Sequence, residues 1–180
     1  DPRYLSGIGT LLSAVALYGF HRLSIPEDPA SLLAAGRFPG SDVNYWTEIL
    51  PFIVLMAFGM GLNFVPLTLV ALHHLRPEES GIGSGVLNTM QQVGGALGLA
   101  TLSTVALHYA SERTTEIAPQ LATAAQQGGL NLSPEQIGMV AGLSGFAEGA
   151  TMAFLVGSLM MVVASVIVWR GYGLATTVVA

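Results

Sequence analysis

Long uncharged stretches recur four times along the chain, separated by segments that carry nearly all of its charge. None of Asp, Glu, Lys, Arg or His occurs within 5–20, 49–72, 80–107 or 149–169. A hydrocarbon core of roughly 30 Å takes about 20 helical residues to cross. The pattern predicts an all-α integral membrane protein with four transmembrane helices over 4–21, 48–72, 81–108 and 147–170.

The connections between these spans differ in length and polarity. Two long connections are predicted to be loops, over 22–47 and 109–146, and a short link covers 73–80. Within the second loop, Ser133-Pro134-Glu135-Gln136 is a helix-start pattern, because Ser can cap, Pro suits the first position and Gln can reach back. We therefore expect a short surface helix before the fourth span.

Aromatic residues with a polar atom mark the ends of the predicted spans. Tyr and Trp prefer the membrane interface, where the ring is buried and the polar atom stays in water. All five Tyr and both Trp lie near span ends, which supports the four boundaries. They are Tyr4, Tyr18, Tyr45, Trp46, Tyr109, Trp169 and Tyr172.

Composition excludes most soluble classes. Hydrophobic residues make up 52% of the chain and charged residues 9%, whereas soluble domains carry about 25% charge. Four buried helices of a large soluble protein are the disfavoured alternative, since no amphipathic helix would cover them. The net charge of −5 and the absence of lysine exclude nucleic acid as a partner, and the absence of cysteine excludes thiol chemistry.

The third span has one small and polar face. At about 100° per residue, eight of its residues fall within an arc of roughly 140°. Two uses are open: tight packing with amides bonding between helices, or the lining of a water-filled cavity. Gly94 and Gly98 add a small-xxx-small pattern. The face comprises Gly81, Ser84, Gly85, Asn88, Gln91, Gln92, Gly95 and Gly98.

The second span combines glycine, a buried amide and proline. Gly59, Gly61 and Asn63 precede Pro66, which removes a backbone donor and can bend the helix. Transporters place substrate sites at broken or bent helices near the bilayer midplane. A substrate-pathway role for Asn63 and a simple proline bend both remain open.

Enzyme chemistry is not expected. Hydrolysis within the membrane would need a set of ionisable residues inside the spans, and the four uncharged stretches of the spans contain no Asp, Glu, Lys, Arg or His. His73 and His74 stand near Glu78 and Glu79, but adjacent His side chains diverge on a helix, so a solvated link is favoured over a metal site. No catalytic residue, metal ligand or cofactor is predicted.

Two motif-bearing runs resemble the major facilitator superfamily. They are Phe58-Gly-Met-Gly-Leu-Asn-Phe-Val-Pro-Leu-Thr68 and, after Arg76-Pro-Glu-Glu, the run Leu87-Asn-Thr-Met-Gln-Gln-Val-Gly-Gly-Ala-Leu-Gly-Leu-Ala100. The pattern is most similar to the C-terminal spans of fourteen-span drug:proton antiporters of the EmrB/QacA type. The similarity covers about 58–100.

The resemblance implies a C-terminal part of a major facilitator helical bundle. It implies a cytoplasmic link at 73–80, external loops at 22–47 and 109–146, and a multi-pass protein of the cell membrane. The equal number of arginines on the two sides leaves orientation open by charge alone. Because the chain opens on Asp1 without Met, we expect a fragment that lacks the N-terminal transmembrane half.

The resemblance further implies proton-coupled efflux of drugs or amphiphilic small molecules by alternating access, with the lipid bilayer, the substrate and protons as partners. Substrate-pathway candidates are Asn63, Asn88, Gln91 and Gln92, and hinge or packing candidates are Gly59, Gly61, Pro66, Gly94, Gly95 and Gly98. Two alternatives remain: a major facilitator exporter of another metabolite or lipid, and a non-transporting membrane subunit that packs through its glycine faces.

Overall fold

Four long α-helices make up the described part of a computed structural model, which covers 2–23, 43–72, 76–127 and 132–178. A π-helical turn, Tyr45–Ile49, leads into the second helix, and a 3₁₀ turn, Pro77–Glu79, leads into the third. No strand occurs within these ranges. The helices are α1 Pro2–His21, α2 Leu50–Leu72, α3 Ser80–Gln127 and α4 Pro134–Val178.

The four helices cover the four predicted spans, which confirms the all-helical fold class. By length and composition, Tyr45–Pro66, Ser80–Gln127 and Pro134–Arg170 can each cross a membrane. α1 has 20 residues but is outside this group, because serine, threonine and glycine interrupt its apolar residues. Its crossing of the bilayer stays a prediction.

The structure corrects the prediction of a loop over 109–146. α3 continues as one helix to Gln127 and α4 already begins at Pro134. The polar composition suggested a loop, but Ala, Gln, Glu and Thr at these positions are compatible with helix. The residues connecting 23 to 43 and 72 to 76, including His73 and His74, lie outside the described ranges.

The predicted helix start at Ser133 is confirmed in atomic detail. The Gln136 backbone N–H donates to Ser133 Oγ at 3.2 Å, and the Ser133 backbone N–H donates to Gln136 Oε1 at 2.9 Å. This reciprocal pair is a capping box. The helix it starts is not the short surface helix that was predicted, because it runs on through the fourth span without a break.

α3 and α4 form a two-helix hairpin that extends beyond the ends of α1 and α2. Ile117 and Leu121 of α3 pack with Val140 and Ala141 of α4 in a small buried cluster. The spacing on each helix brings apolar side chains to one face, so the hairpin has a core of its own. We call residues 109–127 of α3 and 134–148 of α4 the helical hairpin.

Charge and close packing join the two helices at the base of the helical hairpin. Arg113 Nε lies 3.0 Å from a carboxylate oxygen of Glu148 on α4, and Arg113 also pairs with Glu116 at 3.1 Å. A side chain at Gly149 would meet the Ala106 carbonyl and the Ala110 Cβ. Glycine is therefore required here by the close approach of α3 and α4.

α1 is the central helix, packed against both α2 and α4, which run antiparallel to it. One end of the assembly is defined by the edge-to-face pair of Tyr4 and Trp169, with ring centroids 5.7 Å apart. The other end is defined by His21, whose Nδ1 lies 2.9 Å from the Thr151 carbonyl oxygen. From Thr151 to Trp169, α4 rises about 27 Å, close to the thickness of a hydrocarbon core.

The aromatic residues predicted to mark the interfaces are exposed where their side chains are described. Tyr4 and Trp169 lie at one end of the assembly. The rings of Tyr45 and Trp46 pack edge to face at the start of α2, near the other end. This placement agrees with two belts of amphipathic rings at the membrane surfaces. The exposed set is Tyr4, Tyr18, Tyr45, Trp46, Tyr109 and Trp169.

The closest approach of α1 and α2 is a reciprocal glycine contact. A Cβ at Gly59 would lie 2.5 Å from Ser13 Oγ and 2.7 Å from the Gly9 carbonyl oxygen. A Cβ at Gly9 would lie 2.7 Å from the Gly59 carbonyl oxygen. Each glycine thus allows the backbone of the other helix to approach. An added Cβ at Gly59 would thus collide with α1, whereas one at Gly61 would meet nothing within 4 Å.

The two glycines of α2 provide a matched test of this contact. We expect Gly59→Ala in the full-length protein to lower the apparent melting temperature by about 2–12 °C, because overpacking costs about 1–3 kcal/mol and 1 kcal/mol shifts a melting midpoint by about 2–4 °C. Gly61→Ala is the control and should not lower it. A thermal melt of detergent-solubilised protein measures both, and equal destabilisation by the two variants would contradict the assignment.

Candidate functional site

The first half of α3 carries the polar face predicted from the sequence, and no other element in the described part of the chain covers it. Asn88, Gln91 and Gln92 are exposed. At five glycines of this stretch, an added Cβ would meet nothing within 4 Å. These five are Gly81, Gly85, Gly94, Gly95 and Gly98.

This polar face points in the same direction as the face that α3 uses to pack on α4. Leu102, Ala106 and Ala110 contact the glycines of α4. Eighteen residues make five full helical turns. Ser84, Asn88 and Gln92 lie 18 residues before these three contact residues, so they lie on the same line along the helix.

Gln91 and Gln92, both predicted to lie on the polar face, differ in their position around α3. Gln92 lies in line with Ala110, which contacts α4. Gln91 lies in line with Tyr109, an exposed residue of the aromatic set. Gln92 and Asn88 therefore lie in line with residues that contact α4, and Gln91 does not.

The opposite face of the same helix is apolar and equally exposed. Val86, Met90, Val93 and Leu97 are all more than half exposed. Met90 and Gln92 point about 160° apart at 100° per residue. The first half of α3 is thus amphipathic, with one side suited to lipid and the other unsuited to it.

An amide in a hydrocarbon layer needs a hydrogen-bond partner. Burying a polar group without one costs roughly 2–7 kcal/mol, depending on the reference state. Asn88, Gln91 and Gln92 form no side-chain hydrogen bonds in this structure. Their face consequently needs water or another helix, which keeps both interpretations from the sequence open.

The candidates on α2 lie near α1. Asn63 is partly exposed, and its backbone nitrogen is 3.0 Å from the position of a Cβ at Gly9. Pro66 is buried within the continuous helix α2. The missing N–H of Pro66 leaves the Leu62 carbonyl without its helical donor. Asn63 and Leu62 thus adjoin the tightest part of the α1–α2 interface.

The structure does not bring the candidates of α2 and α3 together. In the described part of the chain, no hydrogen bond joins Asn63 to Asn88, Gln91 or Gln92. The hinge or packing roles of Gly61, Gly94, Gly95 and Gly98 stay predictions, since these positions face open space. Among the described residues, no group of His, Cys, Asp or Glu is arranged to hold a metal ion.

Sequence reasoning missed a set of small residues that pack the helices. Gly9 on α1 and Gly145 and Gly149 on α4 each lie where a Cβ would collide with a neighbouring helix. The spacing of Gly145 and Gly149 is a small-xxx-small pattern that could have indicated the contact with α3. The buried hydroxyls of Ser158 and Ser165 were missed because a serine in a span gives no periodic signal of its own.

Comparison with known proteins finds transporters over short stretches. The puromycin resistance protein pur8 of Streptomyces alboniger is 40% identical over 67 residues, which is 37% of this chain and 13% of that protein. The cephamycin export protein CmcT of Amycolatopsis lactamdurans is 39% identical over 77 residues, covering 43% of this chain and 16% of that protein. The MFS-type transporter YhcA of Bacillus subtilis is 26% identical over 123 residues, covering 68% of this chain and 20% of that protein.

These relatives support the resemblance to the major facilitator superfamily and a membrane location for the chain. They are named for transport, resistance or export rather than for an enzyme activity, which agrees with the prediction that the chain is not an enzyme. The matched stretches span a fifth or less of each relative's length. No family model matches the chain, and no solved structure matches it.

Cysteine accessibility tests which side of α3 meets water. The chain has no cysteine of its own, so single cysteines can be introduced into a full-length protein whose other cysteines are replaced. We expect Asn88→Cys and Gln92→Cys to react with a charged, membrane-impermeant thiol reagent, because their face needs water or protein rather than lipid.

Met90→Cys is the matched control on the apolar face and should react at least about tenfold more slowly, since a thiol in lipid forms little thiolate. Labelling is measured by gel shift in inside-out and right-side-out vesicles. Protection of Asn88→Cys and Gln92→Cys in both preparations would show that protein covers this face and would contradict a water-filled cavity.

Proposed function

We propose that this chain is the C-terminal part of a major facilitator transporter of the cell membrane that exports drugs or amphiphilic small molecules in exchange for protons. The proposal rests on the polar face of α3. A membrane helix cannot expose such a face to lipid, so the face needs water or another helix. Asn88 and Gln92, in line with the residues of α3 that contact α4, would line the pathway together with Gln91.

The names of the relatives support small-molecule cargo. One relative is named for puromycin resistance and another for cephamycin export. Amide side chains can donate and accept hydrogen bonds without carrying charge. A pathway lined by amides and apolar side chains would suit molecules that combine polar groups with apolar surface.

Proton coupling would rely on residues outside this chain's spans. No ionisable residue lies within 80–107 or 149–169, and a proton carrier in the membrane needs a titratable group. The proposal therefore assigns the carrier to the N-terminal transmembrane half. That half would also supply the surface that faces α3 when the pathway closes.

A different cargo is the second candidate. The same polar face would serve an exporter of another metabolite or a lipid, and binding measurements with the full-length protein would separate these classes. A non-transporting subunit that packs through Gly94, Gly95 and Gly98 is the third. Stable folding and self-association of the 180-residue chain alone, with no transport by the full-length protein, would favour it.

Dye efflux tests the function. Cells that express the full-length gene should accumulate less of a lipophilic cationic dye than cells with an empty vector, and dissipating the proton gradient should abolish the difference. Unchanged accumulation across a panel of dyes and drugs would exclude drugs as the cargo. An efflux that persists without the gradient would exclude proton coupling.

A glutamine substitution tests the pathway. We expect Gln92→Leu to reduce the efflux rate about two- to tenfold at unchanged protein level, because it removes a hydrogen bond worth about 0.5–1.5 kcal/mol. Met90→Leu on the opposite face is the control and should keep the efflux rate. A fall in protein level with Gln92→Leu would indicate packing, and unchanged efflux and abundance would rule out both roles.

A further inference from the structure

The hydroxyl of Ser6 on α1 is fully buried and, in the described part of the chain, has no hydrogen-bond partner. The other buried hydroxyls of α1 donate to carbonyls of their own helix, Thr10 Oγ1 at 2.9 Å and Ser13 Oγ at 3.0 Å. Burying a hydroxyl without a partner is unfavourable. We therefore expect a partner for Ser6 that lies outside α1.

Buried serines at the contact between α1 and α4 do have partners on the neighbouring helix. Ser158 Oγ donates to the Ala14 carbonyl at 2.9 Å, and Ser165 Oγ donates to the Gly7 carbonyl at 3.2 Å. Among the described residues, Ser144 Oγ in the helical hairpin is the other buried hydroxyl without a partner. The environment of each unpaired serine therefore has to be considered separately.

Contacts between α1 and α2 repeat every seven residues along each helix and thereby locate Ser6. Two of these contacts are the ring pair of Phe20 and Phe52, with centroids 5.9 Å apart, and the approach of Ser13 Oγ to Gly59. Seven residues are close to two helical turns, so the next positions stay on the same line. They are Ser6 on α1 and Pro66 on α2, and both are buried. The antiparallel register thus places Ser6 opposite Pro66.

Pro66 is the residue at which α2 cannot complete its own hydrogen bonds. Proline has no N–H, so the Leu62 carbonyl lacks its helical donor. A helical carbonyl points toward the residue four positions later, which brings the Leu62 carbonyl toward the level of Ser6. α1 comes close here, because a Cβ at Gly9 would lie 3.1 Å from Leu62 Cβ. A hydroxyl without an acceptor therefore lies level with a carbonyl that lacks its donor.

These two groups do not bond to each other directly, since Ser6 Oγ has no partner within hydrogen-bond distance in the described ranges. In membrane helices, carbonyls freed by proline are satisfied by neighbouring hydroxyls or by ordered water. A buried water makes two to four hydrogen bonds. Ser6 Oγ and the Leu62 carbonyl supply two polar groups, and Asn63 has the one polar side chain of 59–66.

We propose that Ser6 Oγ and the Leu62 carbonyl hold one water molecule between α1 and α2 at the level of Pro66. The Ser6 hydroxyl donates to the water, and the water donates to the carbonyl. The stretches 5–20 and 49–72 contain no charged residue, so a neutral water is favoured over a cation that would be buried without a counter-charge. The water links the two helices where α2 lacks its own bond, whatever the protein transports.

A double-mutant cycle tests the water site. In detergent-solubilised full-length protein, we expect Ser6→Ala to lower the apparent melting temperature by about 1–6 °C, because the hydrogen bond to the water is lost. Pro66→Ala returns an N–H donor to the Leu62 carbonyl, so the water loses its acceptor. Ser6→Ala in the Pro66→Ala background should therefore lower the midpoint by less than about 1 °C.

A hydroxyl that is buried without water predicts the opposite sign. Its removal by Ser6→Ala would leave the midpoint unchanged or raise it in both backgrounds, because an unpaired polar group is lost, and that result would overturn the proposal. An equal fall in both backgrounds would also overturn it. Ser144→Ala is the matched control, since its hydroxyl is buried and unpaired as well. Its effect should be the same in both backgrounds, and dependence on Pro66 as strong as that of Ser6→Ala would contradict a local site.

Two further arms of the same experiment identify the occupant. The melts are repeated with sodium and with choline as the monovalent cation, and equal midpoints are expected. Stabilisation by sodium that Ser6→Ala removes would assign the site to a cation and overturn the proposal. Hydroxyl-radical labelling by X-ray pulses in isotopically labelled water then detects the water itself. Label should appear at Leu62 or Pro66 in the parent protein and disappear with Ser6→Ala, and its absence from the parent would also overturn the proposal.

Discussion

Polar groups that enter a hydrocarbon layer must be covered, and this requirement organises the whole molecule. Water is absent from the bilayer core, so each hydroxyl or amide there needs a partner from its own helix, a neighbouring helix or a hydrated cavity. α1 and α3 both carry polar side chains on one face. Neighbouring helices cover the polar face of α1, whereas the polar face of α3 is exposed. That difference separates the structural helix from the candidate functional one.

On α1 the polar face is covered within the structure. Thr10 Oγ1 donates to the Ser6 carbonyl at 2.9 Å, and Ser13 Oγ donates to the Gly9 carbonyl at 3.0 Å. Such bonds leave the helix surface small, so α2 and α4 can pack directly against it. The buried Ser6 Oγ is an exception, since it has no hydrogen-bond partner in the described part of the chain. The reciprocal contact of Gly9 and Gly59 follows from this smallness, because larger side chains would hold the backbones apart.

On α3 the polar residues are larger and remain uncovered. An amide presents two donors and an oxygen acceptor, and the carbonyls of its own helix cannot satisfy all of them. A neighbouring helix without hydrogen-bonding side chains therefore cannot bury Asn88 and Gln92 in the way that α2 and α4 bury the serines of α1. Gly85, Gly95 and Gly98 flank these amides on the same face and leave room for a partner or for water. The face is therefore exposed before Leu102 and packed against α4 from Leu102 onward.

The sequence predicted the existence of the four helices and the extent of α1 and α2, because the length of an uncharged stretch and the position of aromatic residues depend on the bilayer alone. It did not predict the helical hairpin, because residues outside the bilayer lose the hydropathy signal, and their helix propensity is a weak guide. The polar face of α3 was predicted because it depends only on the spacing of small and polar residues within one helix. The partners of Ser158 and Ser165 were not, because they lie more than 140 residues away in the chain.

The helical hairpin also limits how α3 can move. Its second half is fixed to α4 by the cluster of Ile117, Leu121, Val140 and Ala141 and by the pairing of Arg113 with Glu148. Since α4 is in turn bonded to α1, any displacement of the first half of α3 must be taken up between Gly94 and Leu102. Gly94, Gly95 and Gly98 lie in that interval, and glycine lowers the cost of bending a helix there. The hinge role predicted for these glycines thus gains a mechanical reason, since they stand where the anchored half of the helix meets the free half.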